Sequence, residues 1–289
     1  MKKKGKERLD QFLAKKMDVS RSKIQKLISE GKVLVDGKTV SASFLVDYEN
    51  DIEVNDELNY EITVEKENIP LDIVYEDDYL LIVNKKSGMV VHPAAGNYSG
   101  TLVNALLYKF DLKGGSEKYR PGIVHRIEKD TSGLMVVEKD EKTHELLSEM
   151  IKNKEVERKY IAIVEGVIPH ETGTIDAPIG RDINNRQKMA VTSVNGKDSI
   201  THFRVLERFS KYTLIECTLE TGRTHQIRVH MAYIGYPIVN DPVYGRSKNT
   251  TEYGQYLHSK SIRFIHPITK KEIYFETDMP FEFKEFLGI

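Results

Sequence analysis

The residues best suited to chemistry are concentrated in four stretches. The densest is HRIEKDTSGL, residues 125–134, which joins a histidine, an arginine, two acids and a Thr-Ser-Gly turn. A carboxylate held in a turn at the mouth of a strand can serve as nucleophile, proton acceptor or electrostatic stabiliser, and both Glu128 and Asp130 qualify. A second stretch, ERKYIAIVEG (157–166), starts a strand at Tyr160, a position that suits either a core tyrosine or one aimed into a cleft. The third, LETGRTHQIRVHMAYIGYPIVNDPVYG (219–245), sets Arg223, His225, Arg228 and His230 within eight residues at a turn followed by a helical pattern. Two arginines near a helix start suit phosphate contact. The fourth, NKKSGMVVHPAAGNYSGTLVNALL (84–107), runs through a Gly-rich loop into a helix whose N-terminus could meet a phosphate.

Several reaction classes find no support. His225 and His230 are five residues apart rather than four, and no H-E-x-x-H occurs, so no metal is assigned. Neither a Walker pattern nor a G-x-G-x-x-G after a strand is present, so no nucleotide cofactor is expected. A G-x-S-x-G elbow is missing too, and the single cysteine, Cys217, falls in the alternating run YTLIECTLE, where it reads as a buried strand residue. An acid, a tyrosine and an arginine survive as the chemical groups.

The elements that must position them follow from periodicity. LLIVNK, GLMVVEK, RKYIAIVEG, SITHFRVLERF, YTLIECTLE and EIYFET read as strands, whereas GTLVNALLYKF and KTHELLSEMIKNK carry helical spacing. Strands outnumber helices without alternating with them, which predicts an α+β fold on a mainly antiparallel mixed sheet. Ahead of this part, residues 7–58 read as a separate small module. Leu9, Phe12, Leu13 and Met17 share one helical face; Ser20 is placed to cap a second helix that buries Ile24, Leu27 and Ile28 and closes at Gly31. Asp36-Gly37 then signals a hairpin. Residues 59–72, ending near Pro70, read as a linker, and 73–289 as the catalytic domain.

The net charge of −1 conceals an asymmetry: residues 1–38 carry +7 and residues 39–67 carry −8, which suits an anionic partner docking in one orientation. Arg8, Arg21, Lys23 and Lys26, directed outward from the small module, would then contact RNA. No apolar run is long enough for a membrane span and the start lacks a secretory pattern, so a soluble cytoplasmic protein with no membrane partner is expected.

Residues 7–58, through RLDQFL, SRSKIQKLISEGKVLVDGK and ENDIEV, resemble the alpha-L RNA-binding module of a ribosomal small-subunit protein, with Asn50-Asp51 where Gly-Asp is usual. The four stretches above, with YLHSKSIRFIHP near the end, resemble the Rlu-type large-subunit pseudouridine synthases across nearly all of 73–280. That resemblance implies isomerisation of uridine in structured RNA, ribosomal RNA ahead of transfer RNA, with no cofactor and no obligate protein partner. It assigns the catalytic acid to Glu128, where the family has aspartate, and leaves Asp130 a turn residue. It further implies that Tyr160 packs on the base, that Arg228 pairs with the acid, and that Arg126 holds the flipped base out of the stack; Arg223 joins the RNA-contacting set. Lys86 replaces a usual proline. Because Glu128 extends the carboxylate by about 1.5 Å, the alternative is a weak or inactive homologue acting as an RNA-binding assembly factor.

Overall fold

In the computed structural model, which describes residues 7–17, 20–47, 50–55, 64–93, 97, 99–110, 122–185, 188–246, 251 and 253–289, the chain divides between Ile62 and Thr63 into two units. The first part of the expected linker, 59–63, and residues 94–96 and 98 of the Gly-rich loop lie outside the described residues.

In the first unit β1 (Glu7–Arg8) leads into α1 (Leu9–Met17) and α2 (Arg21–Ser29), followed by β2 (Val33–Val35), β3 (Lys38–Thr39), β4 (Leu45–Val46) and β5 (Ile52–Val54). Leu9, Leu13, Ile24, Leu27 and Ile28 are buried together against Val33, Val35 and Val46, as the helical spacing requires. Asp36 and Gly37 both have positive φ, 51° and 74°, the conformation that a two-residue hairpin turn demands. Ser20 stands at the N-cap of α2, but its hydroxyl meets Ser22 Oγ at 3.3 Å instead of a backbone amide.

Composition did not foretell Asp10, a fully buried carboxylate at the centre of this unit. Arg8 Nε and Nη2, Arg21 Nε and Gln25 Nε2 all donate to it, at 3.1, 3.1, 2.9 and 2.6 Å. Arg8's hydrogen bonds hold the Asp10 carboxyl well below the usual range. Arg8 and Arg21 are therefore not freely outward, as expected: each is anchored through Nε while its side chain stays 39% and 46% exposed. Lys23 is half-buried, and Lys26 is exposed near Glu30 at 3.8 Å.

The second unit holds β6 (Asp72–Glu76), β7 (Leu80–Lys85), α3 (Leu102–Lys109), β8 (Ser132–Glu138), α4 (Glu141–Lys152), β9 (Glu157–Glu165), β10 (Thr172–Asp176), β11 (Ile179–Arg181) and β12 (Met189–Val191). It continues with β13 (Ile200–Arg208), β14 (Tyr212–Leu219), α5 (Gln226–Tyr233), β15 (Leu257–Ile265), β16 (Glu272–Glu276) and α6 (Phe281–Leu287). Its main sheet has the order β10-β13-β14-β9-β15-β8-β7-β6, with β16 added on β15. Every pair in it is antiparallel except β15–β8. The fold is α+β on a mainly antiparallel mixed sheet.

Strands β7 and β8 read as unbroken apolar runs because both faces are covered. Leu80, Ile82, Leu134 and Val136 join one buried cluster, while Leu81, Val83, Met135 and Val137 join the other. Gly133 sits where β15 runs alongside β8, at φ +108°, and a Cβ there would lie 2.2 Å from the Ser259 carbonyl oxygen. Ser132 and Gly133 of the expected Thr-Ser-Gly turn thus begin β8, and the glycine allows β8 and β15 to meet closely there. Among the described residues no helix is long and apolar enough to cross a membrane.

Candidate active site

Between the turn before β8, the start of β9 and the turn before α5 lies a cleft of about 540 Å³. Its lining includes Arg126, Glu128, Tyr160, Arg223 and Arg228, so five residues spread over about a hundred positions of sequence converge. Arg8, Arg21, Lys23 and Lys26 belong to the other unit.

Glu128 is half-buried, and its carboxylate has two donors. Thr131 Oγ1 donates to Oε2 at 3.0 Å, and the backbone N–H of His225 donates to Oε1 at 3.1 Å. Thr131 is itself gripped by Gln255 Nε2 at 2.9 Å. His225 adopts the left-handed conformation, φ 59° and ψ 20°, at the N-cap of α5. That strained residue turns its amide toward the acid, where the positive end of the helix dipole favours a negative charge. The loop bearing Glu128 is fastened from behind by Lys85. Its Nζ is buried and donates to the carbonyls of Lys86, Met89 and Lys129 at 2.9, 2.8 and 2.9 Å. Burial brings the Lys85 ammonium down to about 7, against the pull of Asp130 and Glu128. Ser87 Oγ adds a bond to the Asp130 carbonyl at 2.9 Å, and Asp130 lies in the turn.

Arg228 departs from expectation. It forms no ion pair with Glu128; its Nε and Nη2 instead bind Asp241 Oδ2 and Oδ1, each at 2.7 Å, and its guanidinium lies 5.2 Å from the Tyr244 ring centroid. Both charges are buried. Burial raises Asp241, but the Arg228 hydrogen bonds outweigh it and hold the carboxyl below its ordinary value. Asp241 also accepts from the Val243 and Tyr244 amides at 2.9 and 3.0 Å, and Tyr244 in turn bonds the His225 ring at 3.0 Å. Arg228 therefore braces the turn that supplies Glu128's amide donor, and its charge acts on Glu128 from beyond ion-pair distance. Asp241 went unassigned in the sequence, although Asp-Pro is a turn signal that marks an acid for backbone contacts.

Tyr160 is 6% exposed on β9 and lines the cleft, and burial raises its hydroxyl above the ordinary value, so it is protonated at neutral pH. Arg126 is exposed at the mouth, while Arg223 is exposed with its Nε on the Asp198 carbonyl at 3.1 Å. His230 is a buried structural residue bound to Thr201 Oγ1 and the Ala177 carbonyl, both at 2.9 Å. Cys217 is fully buried, and burial pushes its thiol up to about 12, which removes it as a nucleophile.

The N-terminus of α3 is not the phosphate site expected. Thr101 and Asn104 cap it through a reciprocal pair of side-chain bonds, and the Gly100 amide is held by the Glu67 carboxylate at 3.0 and 3.1 Å. An internal acid already occupies that end of the helix. Among the described residues no cluster of three or more His, Cys, Asp or Glu side chains could hold a metal ion.

The family model for RNA pseudouridylate synthase matches residues 79–233, more than half of the chain, and that for the S4 domain matches residues 7–52. This chain belongs to the RNA pseudouridylate synthase family. The synthase is 49% identical to the uncharacterized RNA pseudouridine synthase YlyB of Bacillus subtilis, over 97% of this chain and 93% of that protein. It is 51% identical to ribosomal large subunit pseudouridine synthase D of Zymomonas mobilis, over 75% of this chain and 71% of the relative. Among solved structures it is similar to human RNA pseudouridylate synthase domain containing 1, with a TM-score of 0.61 at 26% identity, covering 73% of this chain and 84% of that one. The synthase is thus an isomerase that converts uridine to pseudouridine in RNA and carries an S4 RNA-binding module.

Proposed function

We propose that this synthase isomerises a uridine of large-subunit ribosomal RNA in the cytoplasm, with Glu128 as its acting carboxylate. The reading rests on one observation: a half-buried carboxylate with two fixed donors, in the same cleft as a protonated tyrosine. The target nucleotide leaves the helix stack, since its glycosidic bond is inaccessible inside a duplex. Arg126, exposed at the mouth, holds the flipped state; Tyr160 lies against the base; Arg223 contacts the backbone. Glu128 acts at the ribose as the bond from N1 to C1′ breaks, the uracil turns, and C5 bonds to C1′. The proton lost from C5 is balanced by the one gained at N1, so the reaction needs no co-reactant. Arg228 serves through Asp241 and the turn before α5, which aim the His225 amide at Glu128.

Ribosomal RNA is favoured because relatives such as those of Zymomonas mobilis and Pseudomonas aeruginosa are named for the ribosomal large subunit. On the S4 module, Arg8 and Arg21, pre-aligned by Asp10, and Lys23 and Lys26 supply phosphate contacts. Pseudouridine mapping of RNA from cells with and without the gene tests the reading. Loss of one ribosomal-RNA site on deletion is expected. Unchanged modification together with a ribosome-assembly defect would replace it with the reading of an inactive RNA-binding factor.

A further inference from the structure

Arg158 is the one cleft arginine for which the mechanism above has no use. It is 7% exposed and lines the cleft, yet its side chain makes no hydrogen bond and no ion pair among the described residues, and its Nε is buried without an acceptor. The nearby acids are already committed. Glu128 is taken by Thr131 and His225, while Glu220 is taken by Lys154 at 2.7 Å and His202 at 2.8 Å. A guanidinium largely removed from water and left without a counter-charge is costly, and its planar fork matches a phosphate that enters the cleft.

The position specifies which charge. Arg158 and Tyr160 are two apart on β9, so their side chains leave the same face about 7 Å from each other along the strand. The tip of Arg158 lies at the turn carrying Arg223: a Cβ on Gly222 would be 3.5 Å from Arg158 Nη1. A uracil set against Tyr160 would bring the nucleotide's own phosphate within reach of a group that far along the strand. His125, in the same cleft, adds a second orphan donor. Its Nε2 accepts the Val136 amide at 3.1 Å, which leaves the proton on Nδ1, buried and unpartnered. Burial, reinforced by the Arg158 charge, brings His125 down to about 3, so the ring is neutral and Arg158 is the cation at this position.

We infer that Arg158 is the positioning residue that binds a phosphate group of the target nucleotide, flanking the base held at Tyr160. The inference rests on this cleft being the uridine site, and the probes below separate the two. Uridine, uridine 5′-monophosphate and uridine 3′-monophosphate are titrated calorimetrically into the full chain and into Arg158→Met and Arg158→Lys, with thermal melts to verify folding. The wild type should bind one monophosphate about tenfold or more tighter than uridine. Arg158→Met should erase that preference while leaving uridine affinity within about twofold, and Arg158→Lys, a charge without the planar fork, should retain only part of it. A merely structural arginine would not produce a loss selective for the phosphate. Monophosphates that bind the wild type no better than uridine, or a preference that survives Arg158→Met, overturn the assignment. So does an equal loss for all three ligands, which would place the guanidinium on the base or ribose. Should Arg158→Met not fold, an undiminished preference in Arg158→Lys overturns it equally. Failure of the ribosomal-RNA reading appears instead as unchanged pseudouridine maps on gene deletion.

Discussion

Replacing Glu128 by aspartate shortens the acid by one methylene and tests the site directly. The carboxylate now sits 3.1 Å from the His225 amide and 3.0 Å from Thr131 Oγ1. Drawing it back by about 1.5 Å stretches both to roughly 4.5 Å, beyond hydrogen-bond range. The donors cannot follow. The His225 amide is fixed by a left-handed residue at the start of α5, and Thr131 is held by Gln255. Two bonds to a charged acceptor are lost, each worth about 1.5–3 kcal/mol, and the acid is displaced by more than 1 Å from its working position. Misplacement of that size costs on the order of a hundredfold in rate, or about 2.7 kcal/mol. The assay is single-turnover pseudouridine formation in the mapped ribosomal-RNA fragment, with RNA binding measured alongside. Glu128→Asp should lower the rate about a hundredfold with binding nearly unchanged, and Glu128→Gln, which keeps the shape, should lower it by at least that much. A Glu128→Asp rate above wild type would refute the reasoning. It would mean that the site is built for the shorter acid and that the chain with Glu128 works poorly.

The Arg228–Asp241 pair should be structural: Asp241→Asn leaves a buried guanidinium without its counter-charge and should cost about 3–5 kcal/mol in urea melts. The paired change Arg228→Met with Asp241→Leu should recover most of that loss while activity stays low. His258 is buried between Ser132 Oγ and Thr277 Oγ1, both at 2.8 Å, and burial brings it down to about 4, with Lys260 adding to the effect. Its folded value lies below the unfolded one near 6.5, so the unfolded chain takes up the proton first and stability falls as pH drops from about 6.5 to about 4. That loss amounts to roughly 3 kcal/mol. Melts across this window should show the slope, and His258→Asn should flatten it; an unchanged slope assigns the dependence to other groups. Gly133→Ala should be disabling, at about 3 kcal/mol or more, because the new methyl meets the Ser259 carbonyl in a left-handed backbone. Soluble Gly133→Ala with wild-type melting would show that β8 and β15 can part there.

The elements were legible where the pattern is local. LLIVNK became Leu80–Lys85, and KTHELLSEMIKNK overlaps the helix Glu141–Lys152, which starts one residue earlier, because continuous apolar runs and helical spacing record burial directly. The crowding of Glu128, Arg126, Arg223 and Arg228 near turns likewise pointed to residues that line one cleft, since polar clusters at strand mouths seldom serve packing. Charge partners were not legible. Arg228 looked like the mate of Glu128, but an ion pair is decided by which carboxylate arrives within reach, and the turn after α5 delivers Asp241 first. The α3 N-terminus read as open to phosphate for the same reason, because Glu67, more than thirty residues earlier, closes it. Arg158 drew no assignment from ERKY in the sequence. Only the packing of β9 between β14 and β15, with the turn at Gly222 set against the side chain, makes it a buried cation without a partner. Periodicity along the chain determines which faces are buried; charge and hydrogen-bond partners depend on contacts between residues distant in sequence, which exist only once the sheet has formed.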